Sequence, residues 1–107
     1  MISSKNNKKI NELTGAILAL KTRTEARKFL RDLMTKKELV EFGNRWKAAR
    51  MLGNNELYTK IIKETGLSST TVARVSEWLN NGMGGYKLML KKLNLHHNLS
   101  VAGKGLR

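Results

Sequence analysis

Apolar positions recur along the chain at helical spacing, and no segment alternates as a half-buried strand would. Ile10, Leu13, Ile17 and Leu20 fall three and four apart and predict a helix over 10–21. Thr24 then predicts the cap of a second helix, whose stripe is Ala26, Phe29, Leu30 and Leu33. Thr35-Lys36-Lys37-Glu38 has the capping-box pattern, the threonine hydroxyl taking the third amide and the glutamate reaching back. The helix it opens carries Leu39, Phe42, Trp46, Ala49 and Leu52 and ends at Gly53-Asn54. Asn55 predicts the cap of the next helix, with Leu57, Tyr58, Ile61 and Ile62, and Gly66 predicts its end. Ser69, Thr70 and Thr71 open a further helix through Val72, Ala73, Arg74, Val75, Trp78 and Leu79. A Gly-rich break over 80–85 precedes a last helix expected over 86–95, with Leu88, Met89 and Leu93 apolar. The expected fold is all-α, about six helices around a central helix-turn-helix. Residues 10–95 form the domain, between a basic flexible arm at 1–9 and a flexible tail at 96–107.

Residues 56–79 meet the requirements of that motif. Two short amphipathic helices must cross steeply over a tight turn, and a glycine must take positive φ there. Gly66 supplies the glycine and Leu67 an apolar side chain to bury in the turn. Val72 and Val75 are placed to anchor the second helix against Ile61. Ser68, Ser69, Thr70, Thr71 and Arg74 are left facing outward: short hydroxyls and one long cation at the leading end of a helix, suited to a major groove. Lys60 and Lys63 on the preceding helix can hold the phosphate backbone. Ile62 stands four before Gly66, where many such motifs have a small residue.

Charge sharpens this picture. The 107 residues carry 21 Lys+Arg against 8 Asp+Glu, a net charge of +13, so a polyanion is the expected partner, nucleic acid before an acidic membrane face. The excess is spread over both halves, and Arg27, Lys28, Arg31, Lys36 and Lys37 could widen contact with phosphates. With no Cys there is no disulfide, thiolate metal site or thiol nucleophile. No apolar run approaches the ~20 residues that cross a bilayer. The basic amino terminus and short apolar run at 13–20 resemble a signal peptide only loosely, without an A-x-A site, so a cytoplasmic protein is expected. No Ser-His-Asp or paired-carboxylate set suggests an enzyme. His96-His97 lacks further ligands, so no metal is expected. Gly82, Gly84 and Gly85 follow a helix rather than a strand and read as a helix stop, not a phosphate loop. Trp46 and Trp78 continue the apolar stripes and read as core.

Several segments together resemble a known family. They are Phe29-Leu30-Arg31-Asp32-Leu33-Met34-Thr35, Phe42-Gly43-Asn44-Arg45, Lys63-Glu64-Thr65-Gly66, Ser69-Thr70-Thr71-Val72-Ala73-Arg74-Val75, and Asn81-Gly82-Met83-Gly84-Gly85-Tyr86-Lys87-Leu88. From Phe29 through Leu95 the chain resembles the Trp repressor superfamily, and more closely its YerC/YecD-type branch. The resemblance implies an intertwined, all-helical homodimer whose helix-turn-helix units enter successive major grooves of a near-palindromic operator. In the tryptophan-sensing branch two Arg side chains sandwich the indole, a Thr at a helix start helps hold it, and a small residue borders the pocket. By that resemblance Thr35, Arg45 and Arg74 are the candidate effector residues, and Val75 stands where the small Gly is usual. A β-branched side chain there crowds the space an indole needs, so tryptophan is not the expected corepressor and no cofactor is expected.

The expectation is thus a dimeric, sequence-specific regulator of double-stranded DNA, a repressor without tryptophan response. Two other readings stay open. One is a nonspecific or architectural nucleic-acid binder using the same helices without a code. The other is a protein-interaction module.

Overall fold

Caps decide where the helices of this chain begin. The computed structural model describes residues 2–103, with side chains through residue 94. Its elements are α1 (Ser4–Ala19), α2 (Arg23–Leu33), α3 (Lys36–Gly53), α4 (Tyr58–Thr65), α5 (Ser69–Asn81) and α6 (Gly85–Gly103), with no strand among the described residues. The chain divides into two compact units, Met1–Leu39 and Val40–Arg107, the division falling within α3.

In the first unit the basic segment expected as a flexible arm is helical from Ser4. Ser3 caps it, its hydroxyl accepting the Asn6 N–H at 3.1 Å. Lysine is a good helix former, so charge alone does not break the run. Thr22, not Thr24, caps α2: its hydroxyl accepts the Glu25 N–H at 3.1 Å, and the Glu25 carboxylate accepts the Lys21 N–H at 2.9 Å. At α3 the expected box forms, with Glu38 N–H donating to Thr35 Oγ1 at 3.1 Å and Thr35 N–H to Glu38 Oε1 at 2.8 Å. The bond from the Thr35 backbone, and then that from its side chain, hold the Glu38 carboxyl below its ordinary range. No residue of α1 is buried; Ile10, Leu13 and Ile17 remain 43%, 37% and 48% exposed.

The core of the second unit joins Ala48, Ala49 and Met51 of α3, Ile61 of α4, Leu67 in the turn, and Val72 and Val75 of α5. Trp46, Leu52, Ile62 and Tyr86 pack around it, the Trp46 and Tyr86 rings stacked at 6.2 Å between centroids. Helix α5 packs on both α4 and α6. Trp78, expected in the core, is 43% exposed. Asn55, expected to cap α4, closes α3 instead. It adopts φ 61°, a left-handed conformation that asparagine tolerates, while the Asn55 and Glu56 amides donate back to the Leu52 and Met51 carbonyls. The α4 N-cap is Leu57, without a side-chain bond. At the end of α5, a Cβ on Gly82 would collide with the Trp78 backbone, which accounts for the glycine. Helix α6 continues to Gly103, past the end expected near 95 and into the segment expected as a flexible tail; residues 104–107 and the side chains of His96 and His97 lie outside the described residues.

The turn between α4 and α5 is fixed twice over. Gly66 sits at φ 72°, ψ 5°. The buried Thr65 hydroxyl donates to the Ile61 carbonyl at 2.7 Å and accepts the Leu67 N–H at 3.2 Å, so the only buried polar side chain among the described residues is satisfied. A Cβ at Gly66 would meet nothing within 4 Å, so replacing this glycine costs backbone conformation alone. Gly66→Ala should lower stability by about 1–2 kcal/mol, and Gly66→Asn by less. Urea titration checks this; equal midpoints for wild type and Gly66→Ala would contradict it.

Candidate nucleic-acid interface

Helix α5 begins at a cap that is itself among the expected contact residues. The Ser68 hydroxyl accepts the Thr71 N–H at 3.1 Å and donates to Thr71 Oγ1 at 3.0 Å. From there the helix has two unlike faces. Val72 and Val75 are fully buried and Leu79 nearly so, whereas Ser69, Thr70 and Arg74 are exposed and Thr71 is half-buried. Thr70 and Arg74 are one turn apart and so share a face. The first turn of α5 contains no acidic residue, so its free amides and positive dipole end are not neutralised by a carboxylate there. The structure therefore brings Ser68, Ser69, Thr70, Thr71 and Arg74 together at the leading end of one helix. Ser68 and Thr71 are partly occupied in holding that end closed.

The two lysines of α4 differ. Lys63 is exposed and makes no ion pair among the described residues. Lys60 Nζ lies 2.6 Å from Glu56 Oε1 and 4.0 Å from Glu64 Oε2. The hydrogen bond to Glu56, then its charge, hold the Lys60 ammonium protonated above its ordinary range, with Glu64 adding to the effect. For Lys60 to meet a phosphate it must share or leave Glu56.

Each residue named for an effector has its own surroundings. Thr35 lies in the unit Met1–Leu39, its hydroxyl engaged in the α3 cap. Arg45 pairs with Glu41 at 3.2 Å, and its guanidinium carbon lies 5.4 Å from the Phe42 ring centroid and 5.8 Å from that of Trp78. Val75 is enclosed in the core at zero exposure, while Arg74 points outward to solvent. No hydrogen bond, ion pair or cation–π contact among the described residues joins any two of Arg45, Arg74 and Val75. Sequence reasoning missed this environment of Arg45. Glu41 and Phe42, four and three positions earlier on α3, were a readable signal; Trp78, on α5, was not. It also missed Thr65 as the fastening of the turn, though a threonine before a helix-ending glycine is a visible cue. No three His, Cys, Asp or Glu side chains of the described residues could hold a metal ion together, and no described helix is long and apolar enough to cross a membrane.

A helix, a turn pinned by a left-handed glycine, and a second helix with a polar, cationic leading face define a helix-turn-helix protein. The chain belongs to the Trp repressor family: the family model described as Trp repressor protein matches residues 8–94. It is 36% identical over 92 residues to the uncharacterized protein YerC of Bacillus subtilis (strain 168), a match covering 86% of this chain and 88% of the relative. A TrpR-like protein from Eubacterium eligens ATCC 27750 superimposes with a TM-score of 0.78 at 34% identity, over 81% of this chain and 90% of that one. A candidate Trp repressor from Staphylococcus aureus also gives 0.78, at 30% identity over 88% of this chain and 96% of its own. The chain is thus a TrpR-like protein of the YerC type, with the fold of helix-turn-helix DNA-binding regulators rather than of enzymes.

The Lys60 environment gives a direct check. In Glu56→Gln the main cause of the raised pKa is gone, so the ammonium should titrate close to its ordinary value. The sign follows: any stabilisation by the pair is complete below the ordinary lysine pKa and fades as pH rises through the higher folded value. Side-chain NMR of Lys60 reads this, and an unchanged titration in the variant would refute the assignment to Glu56.

Proposed function

We propose that the chain is a dimeric, sequence-specific transcriptional regulator of double-stranded DNA, a cytoplasmic repressor, in which α5 enters the major groove. The observation that carries this reading is the division of α5 into a face locked by Ile61, Val72 and Val75 at zero exposure and an opposite, exposed face bearing Thr70 and Arg74, with the exposed Ser69 at its edge. A reading helix must project bare polar side chains from a rigid mount, and this one does. Arg74 is the residue for bidentate reading of a guanine edge, with the hydroxyls of Ser69 and Thr70 for neighbouring bases. The first-turn amides of α5 and the ammonium of Lys63 hold phosphates, and Lys60 joins them by exchanging Glu56 for the backbone.

Dimerisation is supported by what the chain leaves uncovered. A helix of sixteen residues that buries none of its side chains gains little from remaining beside its own chain. The row Ile10, Leu13 and Ile17 suits a second copy, which would also double the reading helices in symmetric relation. The regulator acts without tryptophan: Val75 fills core space, and Arg45 already has a carboxylate and two aromatic rings around it.

Two experiments test this. On a duplex selected from a random pool, Arg74→Ala should cost about 1–3 kcal/mol of binding and much less on random duplex, with the wild-type affinity unaltered by added tryptophan. Equal losses on both duplexes would favour a nonspecific binder. In sedimentation equilibrium the wild type should run as a dimer and Leu13→Glu/Ile17→Glu as a monomer; a monomeric wild type would remove the dimer from the account.

A further inference from the structure

One charged surface is not used by the reading helix. On α2, Arg23, Arg27 and Arg31 stand one turn apart, about 6 Å between neighbours along the axis and within an arc of about 80°. Lys28 borders the same arc, and all four side chains belong to exposed residues. The apolar stripe Ala26, Phe29 and Leu30 runs along the flank of the row and is half-buried. The carboxylates of α2 do not neutralise the row. Glu25 is turned back to the Lys21 amide, and Asp32 makes no ion pair among the described residues. The ion pairs of the described residues involve Arg45, Lys47 and Lys60 only. Arg31 donates one bond to the Met34 carbonyl at 3.3 Å, which leaves most of its donors free.

Like charges one turn apart destabilise a helix, so this row is a standing cost unless an anion lies against it. A regular comb of guanidinium groups, each forked to take two oxygens, complements a phosphate chain. An anionic bilayer would need the apolar stripe as well as the charges, and that stripe is already half-buried. We propose that Arg23, Arg27 and Arg31, with Lys28 at their margin, form a second nucleic-acid surface that grips duplex phosphates without reading bases. This rests on the DNA-binding reading of the chain but not on sequence specificity. It supplies affinity, through released counterions, to the duplex it grips.

The test uses the full chain and the dependence of binding on salt. Arg23→Gln/Arg27→Gln/Arg31→Gln should bind the selected and the random duplex more weakly by the same factor. Its plot of log affinity against log salt should be shallower by about 0.9 for each phosphate that is no longer neutralised. Arg23→Lys/Arg27→Lys/Arg31→Lys should keep most of the wild-type slope. Arg27→Gln alone gives the step for a single arginine if the triple variant melts early in circular dichroism. Unchanged slope and affinity in a folded Gln variant would overturn the proposal and leave α2 a solvated face. If the wild type binds random and selected duplex alike while the slope still falls in the Gln variant, specific reading fails and the α2 surface stands. A wild type that binds no duplex at low salt would overturn both.

Discussion

The unit that carries the helix-turn-helix depends on the packing of Ile61 against Val72 and Val75 across the Gly66 turn. These are the three largest fully buried side chains of the described residues, and each such burial is worth about 1.5–3 kcal/mol. Because they come from both sides of one turn, they fix the crossing of α4 and α5. The β-branched valines have little rotamer freedom in a helix, which makes them a stiff mount. What the reading face gains is orientation: Thr70 and Arg74, with Ser69 at their edge, are held by side chains that pack the other face of the same helix. Ile62, large where many such motifs are small, is accommodated by remaining half-buried at the rim of the core.

Electrostatics follows from how few carboxylates there are and where they are spent. Glu25 and Glu38 serve helix starts, Glu41 holds Arg45, and Glu56 and Glu64 hold Lys60, with Glu64 also reaching Lys47. These five carboxylates thus organise the fold locally, and the excess of thirteen positive charges is left to act on an outside partner. A field of that sign speeds encounter with DNA and makes it salt-dependent.

Much of this is legible in the sequence, for reasons that differ from place to place. The apolar periods define the helices, and the motif residues define the helix-turn-helix, because both depend on neighbours within a few positions. The start of the first helix is harder to read, because a run of lysines and asparagines looks like a tail although lysine suits a helix. Thr22-Arg23-Thr24-Glu25 repeats the pattern seen at Thr35, so that cap is readable once the two are set side by side. Asn55 is ambiguous in principle, since asparagine both caps helix starts and adopts the left-handed conformation at helix ends. The place of Trp78 is not readable: a stripe position says which face a residue takes, not whether another element covers it. The polar leading face of α5 is exposed as its pattern predicts, but the ties of Lys60 and Arg45 depend on rotamers and partners that spacing only hints at.

The most direct measurement is an NMR titration of the labelled chain with a duplex recovered by selection from a random pool. The largest shift changes are expected at Ser69, Thr70 and Arg74, with the methyl groups of Val72 and Val75 staying packed on Ile61. Shifts gathered on other helices while the exposed face of α5 stays unchanged would contradict this.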